Sequence, residues 1–324
     1  MQHTPTPGVL PVIAVVVPCY NEAAALPVTI PALLDVLDTL ARQGLASDAS
    51  YLLCVDDGSR DGTWDVICRM HATDPRVKGI VLAHNRGHQY ALLAGLAQVT
   101  DRCDAAISID ADLQDDPMAI IDMVRKFNDG KEIVYGVRSS RHTDTAFKRN
   151  SAHAFYNFQK AMGLETVYDH ADYRLMSRRA LTLLGGYGES NMFLRGIVPL
   201  IGLDSDIVTY ERNRRVAGES KYPLSKMLAF SIDGITSFSA KPMRWIFVTG
   251  LIIFAVTILV GIYVLFSHFF ISRTSPGWSS LMLSIWGLGS LILMAIGIVG
   301  EYIGKIFVEV KNRPRYAVKD LLWD

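Results

Sequence analysis

Neither sign of charge is in excess: 32 lysines and arginines balance 32 aspartates and glutamates over 324 residues. Bulk charge therefore does not make this chain a nucleic-acid binder. Cysteine is scarce, with four residues, Cys19, Cys54, Cys68 and Cys103. None forms a CxxC pair and no histidine spacing completes a zinc site. All four read as reduced packing residues of a cytosolic domain. GxGxxG and P-loop motifs are absent, so neither a dinucleotide fold nor a P-loop NTPase is supported. The first residues, with Pro5, Pro7 and Pro11, lack a charged n-region and a long apolar core, and no signal peptide is expected. There is no internal repeat or low-complexity segment.

What is present is unevenly distributed. Carboxylates dominate residues 101–129, while positive charge crowds 212–226 and 305–319. Local basic clusters of this kind suit phosphates or anionic lipid. The length is enough for one sizeable soluble domain plus an appendage.

Residues 12–136 alternate apolar runs with amphipathic ones. The expected strands are 12–17, 51–55, 78–82, 105–109 and 133–135. The expected helices are 27–42, 63–71, 89–99 and 118–127. Such alternation predicts an α/β domain, a mostly parallel sheet with helices on both faces.

Ligands of open α/β sheets bind at the carboxyl ends of the strands, and three notable loops fall there. The fourth strand runs into Ile109-Asp110-Ala111-Asp112-Leu113-Gln114. Extended geometry would aim Asp110 and Asp112 at one point, as a hard divalent cation on two phosphates requires. The competing view is a solvated Asp-rich turn. The first strand ends in Pro18-Cys19-Tyr20-Asn21-Glu22, where an aromatic beside polar groups can stack on and hydrogen-bond a base. The second ends in Asp56-Asp57-Gly58-Ser59-Arg60-Asp61-Gly62-Thr63. Asp56 or Asp57 can accept a base N–H there, while Asp61 caps the following helix.

Two long uncharged runs follow. At ~1.5 Å per residue a helix over 245–271 exceeds the ~30 Å thickness of a bilayer core. Residues 281–300 form a second such run, and the link between them holds Pro276 and Gly277. Lys241 and Arg244 precede the first run; Lys305, Lys311, Arg313, Arg315 and Lys319 follow the second; the link carries Arg273 alone. The positive-inside rule then puts both termini in the cytoplasm. Before the first run, Leu224, Met227, Leu228, Ile232, Ile235 and Phe238 recur at helical spacing, as in a helix lying in the membrane interface.

The motifs PCYNE, VDDGSRDGT, HNRGHQ and DADLQDDP, in this order and spacing, resemble glycosyltransferase family 2 with the GT-A fold. The later runs DHADYRLMSRRAL, ERNRRVAGESKY and GEYIGKIFVEVKNRPRY are similar to its bactoprenol-phosphate glucosyltransferase branch, relatives of the dolichyl-phosphate sugar synthases. The resemblance covers about residues 12–318. It implies that Asp110, Asp112 and Gln114 handle a Mg²⁺ or Mn²⁺ ion and the diphosphate of a sugar nucleotide. Pro18, Tyr20, Glu22 and Asp56 would hold the nucleoside, with Asn21 and Asp57 beside them. Asp172 matches the position usually considered for a base, although sugar-hydroxyl binding or orientation fits it equally. Arg86 stands where the family has an aromatic. The QxxRW motif of processive synthases is missing.

The implied reaction is inverting transfer of a sugar, glucose from UDP-glucose in the leading version, to polyprenyl phosphate. Positive charge must line the acceptor side, and Arg212, Arg215 and Lys221, with Ser220, are the candidates. The expected organisation is a catalytic domain over 1–222, interfacial helices over 223–242, a hairpin over 243–308 with spans at 245–271 and 281–304, and a cytoplasmic tail over 309–324. The expected site of action is the cytoplasmic face of a bacterial inner membrane. A separate flippase, a downstream glycosyltransferase and a second copy of the chain are the expected partners, and no nucleic acid. Alternatives are another donor (GDP-mannose or a UDP-amino sugar), a processive polysaccharide synthase, or a non-catalytic membrane scaffold.

Overall fold

A computed structural model describes residues 9–139, 170–189, 194–211, 277–311 and 313–323, with isolated positions between 246 and 262. These residues belong to two compact units, one holding the sheet together with residues 313–323 and the other holding a long helix.

Among the described residues the sheet has eight strands: β1 (Ile13–Cys19), β2 (Tyr51–Asp56), β3 (Val77–Leu82), β4 (Ala105–Ser108), β5 (Ile133–Arg138), β6 (His170–Ser177), β7 (Ser205–Tyr210) and β8 (Val318–Leu322). Their order is β7-β5-β6-β4-β1-β2-β3-β8. The central four, β4-β1-β2-β3, are parallel, which is the doubly wound, Rossmann-like core expected from the sequence. Outside it the sheet is mixed, since β6 runs antiparallel to β4 and β5, and β8 antiparallel to β3. β1 and β2 are buried at every position, as strands covered on both faces must be, so they read as unbroken apolar runs.

The helices are α1 (Leu26–Arg42), α2 (Thr63–Thr73), α3 (His88–Val99), α4 (Ala119–Asn128), α5 (Arg178–Gly185), α6 (Leu194–Leu200) and α7 (Trp278–Val310). Ile13, Val15 and Val17 share one core with Leu26, Ile30 and Leu33 of α1, Val66 and Ile67 of α2, and Ile120 and Val124 of α4. α3 covers the opposite face, and its backbone comes so close that a Cβ on Gly95 would lie 2.4 Å from Val16 and 2.7 Å from Val55.

Two expectations change. β4 stops at Ser108, and Asp110 and Asp112 follow it in a turn, not on one strand face. The Ile109 N–H still reaches the Val16 carbonyl at 3.1 Å, after which the chain bends and Leu113 takes φ 51°. The turn is held from outside. Thr29 donates to the Ala111 carbonyl at 2.6 Å, and buried Asp115 accepts from Arg138 at 2.8 Å and from the Tyr210 hydroxyl at 2.7 Å. The other change concerns residues expected as a tail: 318–322 form β8, an edge strand of the same sheet.

α7 has 33 residues. Counted over the described residues alone, no helix is long and apolar enough to cross a membrane. Several α7 side chains lie outside that description, as does most of the 245–271 run. Residues 212–245, which include the expected interfacial helix, are also outside it.

Candidate active site

The carboxyl ends of β1, β2 and β3 enclose a cavity of ≈ 400 Å³, lined by Tyr20, Asp56, Ser59, Arg60 and Asn85 among others. Tyr20 is half exposed, and Asp56 lies at its buried end. One Asp56 oxygen accepts the Ser59 N–H at 2.9 Å, closing the turn around Gly58. That glycine has φ +68°, and a Cβ there would sit 2.9 Å from backbone atoms of His84 and Asn85. The absence of a side chain is what lets the two loops touch.

Asn21 ties the first loop to the second. At φ 56° it occupies the left-handed region, which asparagine tolerates better than most residues. Its side-chain oxygen accepts the Arg60 N–H at 3.0 Å, and its own N–H donates to Ser59 at 2.9 Å. The Glu22 N–H donates to Thr63 at 2.9 Å. Asp61 accepts from the Thr63 N–H at 3.1 Å and from the Ala23 N–H at 3.1 Å. Pro18 is buried in β1. Asp57 faces elsewhere: its two oxygens accept the Arg86 and Gly87 N–H groups, each at 2.7 Å. Holding the loop that leads into α3 accounts for both oxygens, and burial pushes this carboxyl up from its ordinary range.

That loop delivers His88 and Gln89 to the second part of the site. His88 Nε2 lies 3.3 Å from Asp172 and 3.7 Å from Asp110. Gln89 donates to Asp172 at 3.1 Å, and its oxygen accepts the Leu194 N–H at 3.2 Å. Asp172, buried on β6, also accepts from Arg174 at 2.6 Å and from Arg195 of α6 at 3.3 Å. Burial alone would raise the Asp172 carboxyl. The His88 hydrogen bond and the Arg195 and Arg174 charges overcome it and hold the group well below the usual carboxylate range. The hydrogen bond to Asp172 and the Asp110 and Asp172 charges raise His88 against its own burial and against the Arg195 charge.

Asp110 is the open member of this cluster, its side chain 42% exposed at the lip of the sheet. Loss of surrounding water pushes its carboxyl up. His88 draws it back, and Asp172, Asp115 and Asp112 push it further. A cation would relieve that repulsion. Among the described residues no three His, Cys, Asp or Glu side chains converge to hold a metal unaided, so a metal here would take further ligands from diphosphate and water. One oxygen of Asp112 accepts the Gln114 N–H at 3.1 Å. The residues fit a cation shared with a phosphate ligand, and do not fit a closed structural metal site.

Residues 14–185 match the model of glycosyl transferase family 2. The chain belongs to that family. Family 2 relatives match it over nearly their whole length. The uncharacterized glycosyltransferase YkoT of Bacillus subtilis (strain 168) is 50% identical over 308 residues, 95% of this chain and 91% of its own. The SfII prophage-derived bactoprenol glucosyl transferase of Shigella flexneri is 36% identical over 309 residues, 95% and 97% of the two chains. Among solved structures, the mannosyltransferase PcManGT from Pyrobaculum calidifontis, in complex with GDP-Man and Mn²⁺, is 16% identical over 96% of this chain and 90% of its own. Its TM-score of 0.45 is too low to add to the family assignment.

As a family 2 glycosyltransferase, the chain brings together much of what its motifs suggested: Tyr20 and Asp56 line one cavity, and Asp110 and Asp172 share His88. Arg212, Arg215, Ser220 and Lys221 lie outside the described residues. Arg195, missed in the sequence, sits in Leu194-Arg195-Gly196 with no acidic neighbour in the chain to advertise it.

Proposed function

We propose that this glycosyltransferase moves one sugar from a nucleotide diphosphate sugar to polyprenyl phosphate at the cytoplasmic face of a bacterial membrane, with glucose from UDP-glucose as the first donor to test. The observation that carries the reading is Asp172 kept ionised by His88, Arg174 and Arg195 beside the half-exposed Asp110. The bactoprenol glucosyl transferase names of the relatives supply the acceptor class.

A phosphate acceptor has a second pKa near ~6 and is mostly dianionic at neutral pH. It needs little help from a base, and Asp172, satisfied on both oxygens, is a poor one. Its work is to hold Arg195 and His88 in place. Arg195 then supplies positive charge where two phosphates must approach. Asp110 and Asp112, with Gln114, would hold Mg²⁺ or Mn²⁺. Such an ion offsets the charge that develops on the departing nucleoside diphosphate. Tyr20, Asn21, Glu22 and Asp56 hold the nucleoside end. Arg212, Arg215, Ser220 and Lys221 receive the acceptor phosphate.

The membrane reading is supported by the uncharged run 281–300 within α7. Ile285, Ile292, Ile296, Ile303 and Phe307 are exposed along that helix, and exposed apolar surface of this extent marks contact with lipid or a partner. With 245–271 it makes a hairpin with both termini cytoplasmic. Two spans are few for a flippase, so a separate protein carries the product across.

The test is to incubate the purified chain with undecaprenyl phosphate, Mg²⁺ or Mn²⁺ and a panel of sugar nucleotides, and to weigh the lipid product. A lipid one hexose heavier supports the reading. A polymer indicates a processive synthase. Absence of any lipid product with every donor overturns the proposal.

A further inference from the structure

The cavity beside Tyr20 and Asp56 has an outer wall that none of the family motifs supplies: Lys319 and Asp320 of β8 line it. The pairing of β8 with β3 is irregular at this point. Val81 lies opposite Asp320 and Leu82 opposite Val318, leaving Lys319 as the extra residue of a β-bulge. Bulges bend an edge strand and re-aim a side chain, and they gather beside active sites.

β8 is also fastened on both sides of the bulge. The Ala83 N–H donates to the Ala317 carbonyl at 2.9 Å. Arg86 donates to the Arg315 carbonyl at 2.8 Å and to the Pro314 carbonyl at 3.1 Å. Beyond the strand, Trp323 packs edge-on against Tyr51 with ring centroids 5.5 Å apart, and the Arg102 guanidinium lies 4.3 Å from its ring centre. Arg86 thus spans the loop that Asp57 holds and the segment that leads into β8.

We infer that β8 is the specificity wall of the donor site, with Lys319 and Asp320 reading the edge of the nucleoside base opposite Asp56. This rests on the reading of the cavity as the sugar-nucleotide site. An ammonium donates to ring carbonyl oxygens, and a carboxylate accepts from ring N–H groups. Together they select a base that offers both, as uracil and guanine do. Adenine has no ring carbonyl for Lys319.

The experiment is calorimetric titration of the detergent-solubilised full chain with UDP, GDP, CDP and ADP in Mg²⁺. Wild-type protein is expected to bind UDP or GDP in clear preference to ADP. Lys319→Ala is expected to weaken the preferred nucleotide about tenfold, ~1.4 kcal/mol, with ADP unchanged, and Lys319→Arg to restore part of the loss. If Lys319→Ala lowers the thermal midpoint, Lys319→Met, which keeps the apolar stem without the donor, carries the test. Wild-type affinity in these variants, or an equal loss for all four nucleotides, overturns the inference while leaving the donor site standing. Failure of wild-type protein to bind any of the four removes the donor reading itself.

Discussion

Asp172 accepts a 2.6 Å hydrogen bond from Arg174, two positions along the same strand, and Arg174 is 1% exposed. Removing the carboxylate strands a buried guanidinium. Asp172→Ala is therefore expected to cost about 3–5 kcal/mol of stability, read by denaturant unfolding. The folded carboxyl is depressed below its unfolded value near ~3.9, so its contribution is complete above that pH and is lost as pH falls through the lower folded value. Asp172 also raises His88, whose contribution is complete below its unfolded value near ~6.5 and is lost as pH rises through the higher folded value, so the wild-type and Asp172→Ala melting curves should be furthest apart near pH 5 and draw closer toward pH 8. Asp172→Asn should keep measurable transfer, and the pH–rate profile between 5 and 8 should carry no limb that this substitution removes.

Asp112→Ala and Asp110→Ala should each abolish transfer, because under the proposed function these are the carboxylates that would meet the diphosphate and its cation. Mn²⁺ titration in the presence of nucleoside diphosphate is the direct check, with weaker metal binding expected in both. A wild-type rate in either variant would reject the acidic turn as the site.

Gly58 and Gly44 separate two kinds of glycine. Both have positive φ, +68° and +64°, but a Cβ on Gly44 meets nothing within 4 Å, while one on Gly58 meets the backbone of His84 and Asn85 at 2.9 Å. Gly44→Ala should cost about 1–2 kcal/mol, the left-handed penalty alone. Gly58→Ala should cost more and should also weaken nucleotide binding, since the loops it parts line the cavity. Equal melting shifts in the two variants would argue against the close approach.

Arg215→Ala should raise the apparent requirement for lipid acceptor far more than that for sugar nucleotide if, as proposed, Arg215 receives the acceptor phosphate. Steady-state kinetics with each substrate varied in turn give the answer. An unchanged acceptor dependence would take Arg215 out of the site.

The amino-acid sequence by itself determined the inner sheet. β1 to β5 and the helices between them were legible because strands buried on both faces are written as continuous apolar runs, and α1, α2 and α4 as 3.6-residue stripes, whereas α3 is buried without a break from Ala91 to Leu96 and carries no such stripe. It also carried Asp56, Asp110 and Asp172, each set within a motif. Only the tertiary structure decided that Asp110 and Asp112 leave the strand for a turn, because that bend is held by Thr29 and Asp115 contacts from other elements. The addition of β8 to the sheet edge was equally hidden: five residues, mostly exposed, carry too little apolar pattern to announce a strand. The charge state of Asp172 was readable only in part. Arg174 stands two residues along the same strand, but His88 from α3 and Arg195 from α6 are distant in the chain, and their fields add only once folding has brought them within hydrogen-bonding reach and excluded water.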